Sequence, residues 1–149
     1  MTASDFLYRL PLIAFSLVGL YSCLSFGSEF LGKYIKPLAK FKPIELVCND
    51  GTCIKLEHTR WAHVFGVPNW WFGTVFYFLT LLAALWTNVW VVSFAIMGSI
   101  GAICLSVVLI YGLAIKLKTV CHLCYVAHAA NLGIFIVWLI AIFQATKPA

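Results

Sequence analysis

Four of the six cysteines in this 149-residue chain fall into two close pairs, Cys48 and Cys53 in "CNDGTC" and Cys121 and Cys124 in "CHLC". Cysteines three apart on a helix share one face, so their sulfurs can reach disulfide distance. At a helix N-terminus the unpaired N–H groups and the dipole favour a thiolate. Lys116 and Lys118 add positive charge just before Cys121. That is how a reactive thiol pair is built; a structural disulfide is the plainer reading. Asn49-Asp50-Gly51 is turn-forming sequence, so Cys48 and Cys53 are expected to face each other across a tight reversal that a disulfide would close. Two such pairs on one face can exchange, each thiolate attacking the next bridge. The competing chemistry is zinc held by these sulfurs, with His58, His63 or His122 as further ligands. Tyr125, not histidine, follows the second cysteine of "CHLC", which speaks against covalent haem. Cys23 and Cys104 have apolar neighbours and read as small buried hydrophobes.

The elements that must position these thiols belong in a membrane. The chain is 63% hydrophobic and only 10% charged, with a mean hydropathy of +0.99, too few charges to cover a domain in water. A helix needs about 20 apolar residues to cross the hydrocarbon. Four stretches qualify: residues 10–30, 68–86, 89–115 and 121–143. No soluble domain is left over. The expected fold is a single all-α membrane domain over 1–149, a four-transmembrane-helix bundle. Nothing in the sequence suggests a nucleic-acid partner; the surroundings are membrane lipid. A cleaved signal peptide is the alternative for the first stretch, which follows Arg9 and ends among Ser25, Gly27 and Ser28, but it exceeds an h-region of about 7–15 residues. Residues 31–67 form one long loop. Within "IKLEHTRWAHVFG", Ile54, Trp61, Val64 and Phe65 recur at three- and four-residue steps, predicting a short amphipathic helix that ends at Gly66.

With four spans, the long loop and the 116–120 turn share one side, and both cysteine pairs fall there. Descending from Cys124, His128 and Asn131 lie on the same helix face. Polar groups at membrane depth usually face the bundle interior, as ligands or as structural hydrogen bonds. In "GVPNWWFGTVFYF", Pro68 suits a first helical turn and sets Asn69 at the same membrane edge; its plain reading is a capping residue. An apolar pocket with a few polar groups beside a thiol would take a flat, lipid-soluble ring with carbonyls at its edge. A quinone has that shape, and its two-electron, two-proton reduction matches oxidation of a dithiol. Asn69 and His128 could each donate a hydrogen bond to a quinone carbonyl.

Taken together, Cys48/Cys53, Thr59-Arg60-Trp61, Phe65-Gly66, "VPNWWFGTVFY" and "LKTVCHLCYVAHAAN" resemble the vitamin K epoxide reductase family over most of the chain. The resemblance implies a quinone-dependent enzyme that makes disulfides, with menaquinone, ubiquinone or a related quinone as acceptor and no metal. It implies that Cys124 reacts with the quinone, that Cys121 exchanges with Cys53, and that Cys48 meets a separate thioredoxin-like partner. Asn69 would bind the quinone, with Thr59 shaping the cap and Phe65, His128 and Asn131 completing the site. His128 stands where animal members commonly carry tyrosine. The family reading places the protein in the cytoplasmic membrane with the thiol face extracytoplasmic. Charge counting runs the other way: Lys33, Lys36, Lys40, Lys42, Lys55, Arg60, Lys116 and Lys118 lie on the thiol side, against Arg9 and Lys147 on the other. The disulfide bond formation protein B family is the nearest catalytic alternative, but it carries its Cys-x-x-Cys in the first extracytoplasmic loop. A non-enzymatic metal-binding or scaffold protein is the alternative of a different class.

Overall fold

A computed structural model describes residues 3–32, 56, 58–86, 88–118 and 120–146. Cys48 and Cys53 lie outside the described residues, as does the lysine-rich stretch before them. Four helices account for most of the rest: α1 (Ala3–Gly32), α2 (Asn69–Leu85), α3 (Val89–Tyr111) and α4 (His122–Ala145). In hydrocarbon every backbone polar group must be satisfied within its own segment, and these long apolar runs do so as helices. Three are long and apolar enough to cross a membrane: α1, α4, and α3 with its extension to Leu117. The shorter apolar α2 has 17 residues and spans about 25 Å.

α1 packs closely along both α2 and α4, while α3 touches the same two helices more sparsely. The four form a ring with α3 diagonal to α1. Close approach of α1 rests on small residues. Gly19 and Gly27 lie under the rings of Tyr77 and Trp70, and Gly133 of α4 lies under Phe15. Ser16, Ser22 and Ser25 are buried on the same helix. This is how helices associate where lipid tails are as apolar as the side chains. Outward-facing residues such as Trp90, Met97, Leu132 and Phe143 are large and apolar, a surface suited to lipid.

At the start of α3 the Asn88 side chain caps the helix by accepting a hydrogen bond from Trp90 N at 2.9 Å. At the opposite end, α3 continues as a π-helical segment, Gly112–Leu117, past the expected limit of the span at 115. It stops where Lys118 adopts a left-handed conformation, φ 49°.

The amphipathic helix expected to end at Gly66 is not what residues 60–66 form. Arg60–Ala62 make one 3-10 turn, and His63–Val64 pair antiparallel with Val67–Pro68. Phe65 (φ 52°) and Gly66 (φ 81°) make the two-residue turn between them, both in the left-handed region that such hairpins need. The three- and four-residue apolar spacing there comes from a hairpin folded over the bundle, with Trp61 packed on Gly112. A second correction concerns Cys104, which is exposed on the outside of α3; Cys23 is buried as expected.

Candidate functional site

Cys121 is the residue before α4, in extended conformation (φ −116°, ψ 101°), and its sulfur accepts a hydrogen bond from Cys124 N at 3.3 Å. The two cysteines are joined as a disulfide, with Cα atoms 5.3 Å apart. A chain that enters a helix at Cys121 thus places both sulfurs at the N-terminus, where backbone N–H groups point outward. The environments of the two differ. Cys121 is only 2% exposed and packs with Leu56, Leu113 and Leu123. Cys124 is half-buried and opens on a cavity of about 720 Å³.

All four helices line that cavity, which runs from the thiol end far along α2 and α3: Cys23 and Phe26 from α1, Trp70 to Leu79 from α2, Phe94 to Leu109 from α3, and Cys124, His128 and Asn131 from α4. The hairpin covers it through Trp61, Ala62 and Val67. Most of the wall is aromatic and aliphatic, with few polar groups, as expected of a site for a flat apolar ligand.

Asn69 is the first residue of α2, but its side chain does not cap the helix. Its Nδ2 donates to the Trp61 carbonyl at 2.8 Å, tying the helix to the 3-10 turn. Its Oδ1 is buried at the cavity and finds no partner among the described residues; the indole N–H of the buried Trp70 is in the same position. A buried polar atom left unpaired costs about 1–3 kcal/mol, a cost that an occupant bearing hydrogen-bonding groups would offset.

His128 Nδ1 lies 3.0 Å from Ser106 Oγ. Asn131 is held on both sides, its Oδ1 accepting from Tyr77 Oη at 2.6 Å and its Nδ2 donating to Ser106 Oγ at 2.9 Å. Of the expected ligand-site residues, the structure therefore brings Cys124, Asn69, His128 and Asn131 around one cavity. Thr59 and Phe65 are not in its lining. Thr59 instead closes its own turn, with Oγ1 donating to Leu56 O at 2.6 Å. Phe65 is 98% exposed because the positive φ of the hairpin turn aims it away from the bundle. Among the described residues no group of three His, Cys, Asp or Glu side chains gathers as metal ligands.

Sequence reasoning passed over Ser106 and Tyr77, and read Cys23 only as a small buried hydrophobe. Ser106 did leave a signal: Ser99 and Ser106 are seven apart, hence on one face of α3, and both are buried. Tyr77 was hidden among other aromatics, and nothing about Cys23 separates it from a packing residue. The sequence model of the vitamin K epoxide reductase family matches residues 10–139 of the chain. A search of the curated proteins finds no match.

Proposed function

The chain belongs to the vitamin K epoxide reductase family, and on that premise we propose that this integral membrane oxidoreductase reoxidises a thioredoxin-like partner and delivers the electrons to a quinone. The dithiol of the partner attacks the Cys48–Cys53 bridge at Cys48, becomes a disulfide and leaves Cys53 as a thiolate. Cys53 attacks Cys121, releasing Cys124 as a thiolate that passes the electron pair to the quinone. Cys48, also left reduced by the partner, attacks Cys53, which re-forms their bridge and frees Cys121; Cys121 and Cys124 then return to the disulfide, and two protons complete the quinol. The net exchange is one dithiol and one quinone for one disulfide and one quinol.

The observation that carries this reading is the position of Cys124, one sulfur of a disulfide opening on an apolar cavity that its partner sulfur does not reach. The route from the loop is supported by Leu56, which packs in the cluster around Cys121. Leu56 follows Cys53 by three residues, a tether of at most about 11 Å between Cα atoms. The unpaired indole N–H of Trp70, a donor, supports a ligand with carbonyl oxygens, and the unpaired Oδ1 of Asn69, an acceptor, supports one whose reduced form carries a hydroxyl. In this reading the thiol end faces the extracytoplasmic side of the cytoplasmic membrane, where disulfides persist.

Turnover with two electron donors tests the order of the relay. Cys124→Ala is expected to abolish quinone reduction whether the donor is a small dithiol or a thioredoxin-like protein. Cys48→Ala is expected to block the protein donor and spare the small one. Equal losses with both donors in Cys48→Ala would overturn the relay order.

A further inference from the structure

The interior wall below Cys124 holds a short hydrogen-bonded chain linking three helices. Tyr77 Oη lies 2.6 Å from Asn131 Oδ1 and 2.8 Å from the Ala127 carbonyl oxygen. Asn131 Nδ2 lies 2.9 Å from Ser106 Oγ, which lies 3.0 Å from His128 Nδ1. Ser22, Thr74, Thr80 and Ser99 all return their hydroxyl protons to carbonyls of their own helix. Ser106 differs: its hydroxyl meets two side chains of α4.

Counting protons along the chain gives two complete arrangements. In the first, Tyr77 donates to Asn131 Oδ1, the Asn131 amide donates to Ser106 Oγ, and Ser106 donates to His128 Nδ1. The histidine then carries its proton on Nε2. The two ends of an amide have nearly the same shape, so the Asn131 side chain can sit turned over in the same space. In that second arrangement Asn131 donates to Tyr77 Oη, and Tyr77 donates to the Ala127 carbonyl. Ser106 now donates to the Asn131 oxygen, and His128 Nδ1–H donates to Ser106, leaving Nε2 bare. Every group keeps a partner both times. What changes is the offer His128 makes through Nε2, which has no partner among the described residues, in a ring that lines the cavity.

We propose that Ser106 and Asn131 are positioning residues that let His128 face the cavity as a hydrogen-bond donor in one arrangement and as an acceptor in the other. The inference rests on the quinone reading and deepens it. A quinone oxygen accepts a hydrogen bond; a quinol hydroxyl donates one. A pocket that must hold both members of the couple meets each with the same imidazole, without moving the ring.

Nitrogen-15 spectra of the full chain labelled at histidine, with the His128 signals assigned by their loss in His128→Asn, test this directly. With ubiquinone bound, the Nε2–H tautomer is expected; with ubiquinol bound, the Nδ1–H tautomer. Ser106→Ala is expected to abolish the change and to raise KM for quinone roughly three- to tenfold, the loss of about one hydrogen bond. Ser106→Thr, which keeps the hydroxyl, is expected to restore both. Quenching of tryptophan fluorescence reports binding separately. If both ligands bind and His128 keeps one tautomer throughout, or if Ser106→Ala still switches, the inference is overturned while the quinone reading stands. If neither ligand binds, the quinone reading fails and takes the inference with it.

Discussion

Two sulfurs of one disulfide, three residues apart, are held in different surroundings by the start of a helix. Cys121 sits under Leu56, Leu113 and Leu123, and Cys124 faces the cavity. A third sulfur, Cys23, lies in the same cavity wall as a free buried thiol, close to Gly73. The proposed relay uses no fifth cysteine, so Cys23→Ala should keep quinone turnover within about twofold of the parent, a packing change of the size expected for a small buried hydrophobe. Steady-state rates check this, and a loss as large as that in Cys124→Ala would bring Cys23 into the chemistry. Asn69 makes a different prediction. It ties α2 to the carbonyl of Trp61, a residue of the cavity lining, while its own oxygen is buried without a partner among the described residues. Asn69→Ala should therefore raise KM for quinone about fivefold or more, the value of about 1 kcal/mol of hydrogen bonding, while thiol exchange with a small dithiol continues. At this scale the sequence announced Cys124, Asn69, His128 and Asn131 through polar residues in apolar runs. It did not announce that both ends of the Asn131 amide are already engaged by Tyr77 and Ser106, because that depends on how three helices meet.

Helix placement depends on glycines whose missing side chains are filled by rings. A methyl group on Gly19 would collide with the ring of Tyr77, the residue that holds Asn131, whereas one on Gly101 would meet nothing within 4 Å. Gly19→Ala should therefore destabilise the bundle by about 1–3 kcal/mol. Gly101→Ala should leave it unchanged or stabilise it by up to about 1 kcal/mol, as replacing a mid-helix glycine does. Thermal unfolding in one detergent compares the pair, and similar losses in both would refute the packing argument. The hairpin depends on the same device, since a Cβ at Gly112 would lie 2.6 Å from the Trp61 ring. Gly112→Ala should push Trp61 off the π-helical segment and weaken quinone binding, read as reduced tryptophan quenching. The long helices were legible because some twenty apolar residues in a row have few other solutions in a bilayer. The hairpin was not: Trp61, Val64 and Phe65 carry helical spacing, and only Gly66 hinted at a left-handed turn, with Phe65 adopting one as well.

As a whole, the molecule is a ring of helices in which α1 is tightly held and α3 is the sparsely packed member, with the cavity running from the thiol end along α2 and α3 and an apolar exterior around it. Leu56, three residues after Cys53 in the sequence, packs in the cluster of Cys121 at the end of the bundle that carries "CHLC". The lysine-rich composition of that end opposes the positive-inside tendency under the orientation proposed, so membrane sidedness is a test in its own right. In reduced, sealed, right-side-out vesicles, an impermeant maleimide should label Cys48 or Cys53; labelling only in inverted vesicles would reverse the orientation. The measurement closest to the central claim is simpler. Fully reduced protein, mixed without oxygen with menaquinone or ubiquinone, should yield one quinol for each Cys121–Cys124 disulfide that mass spectrometry finds re-formed. Quinone that stays oxidised in the presence of the reduced pair, with its binding shown by tryptophan quenching, would contradict the account.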